Sequence, residues 1–170
     1  MRRTFLSVSA AVCLVAAIWV PGSRAHCEIP CGIYDDELRI ELIREHIQTI
    51  EKSAGQIVEL SRENPVNYNQ LVRWIDNKER HANEIQDIVA QYFMTQRVKP
   101  ADEKDAEAYK KYVKQLTTLH GMLVAAMKAK QTTDLANVEQ LRKLVDDFAA
   151  SYFTAEDLKH IRAEHGKKEG

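Results

Sequence analysis

The chain has 170 residues, of which 24 are Lys or Arg and 25 are Asp or Glu, and its formal net charge is −1. A balance this close to neutral excludes the basic surface that nucleic-acid-binding proteins carry, so no nucleic-acid partner is expected. The length fits one domain that can bury a useful core, even without residues 1–25.

Residues 1–25 have the pattern of an export signal. Two arginines follow the first Met, residues 9–20 form an apolar run, and the small residues Ser23 and Ala25 precede the expected cleavage point. The run is shorter than the roughly 20 residues that span a bilayer. We therefore expect a cleaved leader and an exported protein, periplasmic or extracellular, with no membrane partner afterwards. An uncleaved anchor is the alternative.

Residues 26–34 look like a metal-binding hook. Cleavage after Ala25 would give His26 a free α-amine beside its imidazole, followed by the amide and thiolate of Cys27 and the thiolate of Cys31. Two nitrogens and two sulfurs in one plane suit Ni²⁺ or Cu²⁺, whereas Zn²⁺ would need a further ligand. A disulfide between the cysteines is another alternative, although so short a loop restrains little chain entropy. Tyr34 either faces the open side of the metal or packs against the helices.

The first of four predicted helices begins after the hook. Asp35, Asp36 and Glu37 place negative charge near the positive end of its dipole, which favours helix initiation. Pro65 disfavours the helical conformation in the residue before it, so this helix should end at about residue 61. Between these limits the apolar residues recur at helical spacing, at Ile43, Ile47, Ile50, Ala54, Ile57 and Val58.

A second helix is predicted over residues 68–96. Its seam has the alternating steps of four and three that are typical of bundle packing, at Leu71, Ile75, Lys78, Ala82, Ile85, Val89 and Tyr92. Lys78 interrupts this seam. Either its stem is buried and its ammonium reaches water, or the ammonium is a cation close to the hook.

Two further helices follow a connector at residues 97–102. The third carries a predicted apolar side composed of Tyr109, Tyr112, Val113, Leu116, His120, Leu123 and Met127. Residues 131–134 form a stop and cap, and the fourth helix presents Leu135, Val138, Leu141, Val145, Phe148 and Tyr152. Strand signals are absent. The expected fold is all-α, an antiparallel four-helix bundle over residues 35–166 with a disordered tail at 167–170.

The hook resembles the N-terminus of nickel-containing superoxide dismutases. That family begins, after processing, with His-Cys-x-x-Pro-Cys-Gly-x-Tyr, and this chain matches the motif at His26, Cys27, Pro30, Cys31, Gly32 and Tyr34. Glu28 stands where the family usually has Asp. The best-known members carry a pro-segment that a dedicated protease removes, whereas this chain carries what reads as an ordinary export signal.

The resemblance implies an enzyme that converts superoxide to dioxygen and hydrogen peroxide by Ni(II)/Ni(III) cycling, with one nickel ion per chain. His26, Cys27 and Cys31 would hold the metal, with the His26 imidazole as axial ligand of the oxidised form. Tyr34 would control access and hydrogen-bond the small anion. Glu41 would orient His26, and Lys78 is a candidate for the family's basic residue. The family also suggests a homo-oligomer, specifically a hexamer.

Two other functions remain open from the residues. The same hook would serve a non-enzymatic metal-binding or metal-delivery protein, which would hold metal without turning over superoxide. With its cysteines joined in a disulfide, the chain would instead be a helical interaction protein without metal. The remaining histidines show no paired i,i+4 spacing, so no second helical metal site is expected. They are His46, His81, His120, His160 and His165.

Overall fold

The computed structural model describes residues 33–157, with side chains described from residue 36 onward. The described part is helical and contains no strand, which confirms the all-α prediction. Residues 26–32 of the predicted hook and the predicted tail at 167–170 lie outside the described residues. The helices are α1 (Ile33–Leu60), α2 (Tyr68–Asp87), a π-helical segment that continues α2 (Ile88–Arg97), α3 (Ala106–Gln131) and α4 (Ala136–Tyr152).

Polar side chains set the starts of the helices. The Asn67 carboxamide accepts a hydrogen bond from the Gln70 amide at the start of α2, and Asp105 does the same for Ala108 at the start of α3. Before α4, Asp134 accepts from the Ala136 amide, inside the segment where a cap was predicted. Such caps satisfy amide groups that have no partner within the helix.

The four helices pack around one shared core. α1 contacts α2 and α4, and α3 contacts the same two helices. The predicted apolar faces of α1 and α4 supply much of that core, including Ile43, Ile47, Leu141 and Phe148. Two predicted positions are wrong, because Ile75 on α2 is 40% exposed and Leu135 before α4 is 44% exposed.

The apolar side predicted for α3 is right only in part, because Tyr112, Leu116 and Leu123 pack against the core while three other predicted positions are exposed. Val113 and Met127 are exposed, as is His120. The buried face consists instead of Gln115, Thr118, Leu119, Met122, Ala125, Ala126 and Ala129. Many of these side chains are small, so the α3 backbone can lie close to its neighbours. At Gly121 a Cβ atom would come within 3.1 Å of Leu144 on α4, which shows how close the two helices are.

Lys78 is buried within the bundle, with 3% of its surface exposed. Its Nζ donates to the carbonyl oxygens of Ala129 and Lys130 at 2.6 and 2.5 Å, in the last turn of α3. The prediction that this ammonium reaches water is therefore wrong. A helix leaves its last carbonyls without intrahelical partners, and the positive charge also complements the negative end of the dipole. Lys78 thus ties α2 to the end of α3.

The end of α2 departs from α-helical geometry in a way that the sequence did not reveal. Over Ile88–Arg97 the chain is π-helical. The Val98 amide donates to the Phe93 carbonyl five residues earlier, at 2.9 Å. Single π-helical turns are rare and are found frequently at functional sites.

Within residues 33–157, no helix combines the length and the apolar character that crossing a bilayer requires.

We expect the Lys78→Met substitution to destabilise the protein by about 1–3 kcal/mol, because it retains an apolar stem but leaves two buried carbonyl groups without their donor. The free energy of unfolding in urea measures this loss. Lys111→Met, at an exposed position on α3, is the matched control and should change the free energy little. Equal stability of the two variants would contradict the capping role.

Candidate functional site

The first turn of α1 is the described part of the chain that lies closest in sequence to the predicted hook. α1 begins at Ile33, so Tyr34 is helical, and Cys31 lies two residues before the helix. Two extended residues and one helical turn separate Cys31 from Asp36 by at most about 12 Å between Cα atoms. Any metal held by the hook is therefore close to Asp36.

Asp36 is a buried carboxylate at this end of the bundle, with 2% of its surface exposed. Its Oδ1 accepts a hydrogen bond from the Tyr92 hydroxyl at 2.6 Å. Its Oδ2 accepts from Arg97 Nη2 at 2.6 Å and from the Tyr152 hydroxyl at 2.8 Å. Arg97 Nε in turn donates to the Tyr152 hydroxyl at 3.2 Å. We call Asp36, Tyr92, Arg97 and Tyr152 the Asp36 clamp.

The clamp joins α1 to the ends of two other elements, and the π-helical segment makes this geometry possible. In an α-helix, Tyr92 and Arg97 would point about 140° apart, because five residues at 3.6 per turn exceed one full turn. In a π-helix, residues i and i+5 are hydrogen-bonded neighbours, so they lie on one face. Both side chains can therefore reach the same carboxylate.

Aromatic rings pack beside the clamp. Phe93 and Phe148 pack edge-to-face with 4.9 Å between ring centroids, and Phe148 stacks on Tyr152 at 5.2 Å. The Arg39 guanidinium lies 5.0 Å from the centroid of the Tyr92 ring, a cation–π distance. In this setting burial and the neighbouring Asp36 carboxylate raise the pKa of Tyr152 to about 12. The same two causes raise the pKa of Tyr92.

The two other residues that were predicted to support the metal, Glu41 and Lys78, form contacts in different parts of the structure. Glu41 accepts a hydrogen bond from Arg44 Nη1 at 2.5 Å, and Arg44 also pairs with Asp146 of α4. Lys78 lies 19 residues before Arg97, roughly 25 Å away along the helix axis. Its ammonium caps α3 rather than approaching the first turn of α1. His26, Cys27 and Cys31 lie outside the described residues, as does the side chain of Tyr34.

A histidine pair links α1 to α2 at a position that sequence spacing did not indicate. The Nδ1 atoms of His46 and His81 lie 2.8 Å apart, so one ring donates to the other. Residues 35 positions apart share no local pattern, and the sequence therefore gave no signal for the pair. Among residues 33–157, no group of three or more potential metal ligands is found.

Comparison with known families supplies the identity of the chain. The family model for nickel-containing superoxide dismutase matches residues 22–156, which is most of the chain and includes the whole predicted hook. The chain belongs to the nickel-containing superoxide dismutase family. Neither the comparison with curated proteins nor the comparison with solved structures returns a match.

Membership in the nickel-containing superoxide dismutase family establishes the class of reaction. The protein is an oxidoreductase that acts on superoxide with a nickel cofactor. The donor set of residues 26–31 fits that metal, because amine, amide and thiolate donors favour square-planar Ni²⁺. The residues that sequence reasoning missed are Tyr92, Arg97 and Tyr152, along with the role of Asp36.

The raised pKa values of Tyr152 and Tyr92 predict that the protein loses stability at alkaline pH. Because the folded-state pKa of each tyrosine lies above its unfolded value of 10.0, its hydroxyl contributes stability that is complete below about pH 10 and is lost as the pH rises through the folded-state pKa. We expect Tyr152→Phe to be less stable than the wild type at about pH 8 and to lose less further stability between about pH 10 and 12.

Urea unfolding across this pH range measures the effect, and absorbance titration of tyrosinate checks which hydroxyls ionise late. Tyr112→Phe, on α3 outside the clamp, is the control and should follow the wild-type profile. An unchanged alkaline slope in Tyr152→Phe would contradict the contribution of the clamp hydroxyl.

The histidine pair predicts a loss of stability in mild acid. Burial lowers the pKa of both His46 and His81, and for His81 the neighbouring His46 and Arg80 add to this, opposed by Glu84. Since each folded-state pKa is depressed, the unfolded chain binds more protons and stability falls as the pH drops below about 6.5. We expect His81→Gln to flatten this dependence in thermal unfolding, while His120→Gln on the exposed face of α3 leaves it unchanged.

Proposed function

We propose that the protein is an exported superoxide dismutase whose nickel is held by the N-terminal hook. Cleavage after Ala25 would free the His26 amine, which joins the amide and thiolate of Cys27 and the thiolate of Cys31. The observation that carries the proposal is the family match, since it extends across the hook and the helical domain together. The helical order of the described residues is compatible with an antiparallel four-helix bundle behind the hook.

Nickel held there would supply one-electron chemistry between the Ni(II) and Ni(III) states for the conversion of superoxide to dioxygen and hydrogen peroxide. The balanced reaction consumes two superoxide anions and two protons. The chain itself must hold the donors deprotonated, so nickel affinity should fall at low pH. The His26 imidazole would be a further nitrogen donor to the metal.

Tyr34 is the residue that we assign to the substrate. It belongs to the first turn of α1 and follows Cys31 by three residues, so it lies close in sequence to a proposed metal ligand. Its hydroxyl is proposed to hydrogen-bond the small anion and to restrict access of larger ones. Glu41 remains proposed as the residue that orients His26. To orient His26, Glu41 would have to give up or share its ion pair with Arg44.

A homo-oligomer, a hexamer by family resemblance, would shield the hooks. An exposed apolar stripe on the first half of α2 supports an interface between chains, because Tyr68 is 70% exposed, Val72 62% and Ile75 40%. These positions follow helical spacing of four and three, so they form one surface. A monomeric mass for the active protein would count against the oligomer.

The first experiment is metal analysis of mature protein purified after growth with nickel, with the intact mass checked for a start at His26. We expect about one nickel per chain and superoxide turnover, because the donor set is complete only after cleavage. Absence of nickel together with a mass two hydrogens light would indicate a disulfide and refute the proposal. Nickel without turnover would indicate a metal-delivery protein.

A variant with one extra residue ahead of His26 tests ligation by the amine. The added residue converts the amine to an amide, so we expect activity to be lost although both thiols remain. Cys13 belongs to the predicted leader, so a Cys13→Ala variant processed at the same point is the matched control and should yield fully active protein. Retained activity of the extended chain would refute amine ligation.

A further inference from the structure

At the position of Asp36, an exposed aspartate would be sufficient to favour the start of the helix. An aspartate in the first turn of a helix is favoured simply by the helix dipole, without burial. Here the carboxylate is instead 2% exposed and accepts from three donors. Burying a charge is costly unless good hydrogen bonds offset the lost solvation, so an arrangement of this kind fixes the carboxylate closely in one place.

The donors come from the ends of two elements other than α1. Tyr92 and Arg97 belong to the π-helical segment, and Tyr152 is the last residue of α4. The Tyr152 ring packs edge-to-face against Phe93, which itself packs against Phe148, so close packing restricts the motion of this donor. Hydrogen bonds from two elements, the π-helical segment and α4, therefore hold the first turn of α1 in place.

Rigidity of the first turn of α1 matters because the predicted hook directly precedes this turn. Tyr34 shares the first turn of α1 with Asp36, and the second thiol of the hook lies at most about 12 Å from Asp36. The hook connects to the described residues through the first turn of α1. Fixing the first turn thus fixes the direction in which the hook leaves the bundle.

We propose that Asp36 is a positioning residue of the nickel site, which acts through the Asp36 clamp. The clamp holds the first turn of α1 so that Tyr34 and the hook keep one orientation relative to the bundle. The π-helical segment makes the clamp possible, because it directs the side chains of Tyr92 and Arg97 toward the same carboxylate. The inference rests on the proposed function, because it assumes that the hook binds nickel.

The test compares Asp36→Asn and Tyr152→Phe with the wild type. Asp36→Asn keeps the shape of the side chain but removes its charge and replaces one acceptor oxygen with a donor NH₂ group. Tyr152→Phe removes a single hydroxyl and keeps the ring packing, so it serves if Asp36→Asn does not fold. Asp146→Asn is the control, because that carboxylate also pairs with an arginine but is 67% exposed on α4.

The first readout needs no metal. Amide hydrogen exchange is measured in the metal-free proteins at residues 37–40, which are the first amides of α1 that have an intrahelical acceptor. We expect exchange there to accelerate about tenfold or more in both clamp variants, with protection at the centre of α1 unchanged. Unchanged exchange at residues 37–40 would overturn the proposal.

The second readout is the spectrum of the oxidised nickel site. We expect the wild type and Asp146→Asn to give one paramagnetic species, and the clamp variants to give a broadened or mixed signal with kcat/KM lower by about 10- to 100-fold, since small misplacements near a reacting centre have such costs. A wild-type signal and kcat/KM in both clamp variants would overturn the positioning role. Wild-type protein that binds no nickel would refute the proposed function instead, while the exchange measurement still decides whether the clamp orders the first turn.

Discussion

The packing at the start of α1 depends on one buried carboxylate. Asp36 draws the start of α1, the end of the π-helical segment and the end of α4 to a single point, where Arg97 balances its charge. A buried carboxylate needs a partner of opposite charge and good hydrogen bonds to offset its loss of solvation. The wide turn of the π-helical segment and the ring packing around Tyr152 can both be understood as consequences of this requirement.

At the other end of the helices, a buried positive charge takes the place of the buried negative charge. There a buried ammonium, that of Lys78, serves the carbonyl groups at the end of α3. Both ends therefore place one charged side chain where helix termini or buried polar groups need partners, while the middle is apolar. The two ends differ in position, because only the Asp36 end lies near the first described residues of the chain.

Superoxide dismutation makes modest demands on the helical domain. The substrate is a small anion, and the chemistry belongs to the metal and its immediate donors, so no deep pocket is required. The described helices contribute a packed core and the Asp36 clamp, and α2 carries an exposed apolar stripe at Tyr68, Val72 and Ile75.

The sequence alone determined the helical class, the approximate helix boundaries and the family, because periodicity and the His26–Cys31 motif are local patterns. It also identified the core faces of α1 and α4. It did not determine the buried face of α3, where small residues rather than large ones lie against the neighbours. Nor did it assign Asp36, which looked like a simple dipole partner, or pair His46 with His81. These contacts join residues 35 to 116 positions apart, so only the tertiary structure, which sets which helix ends meet, could decide them.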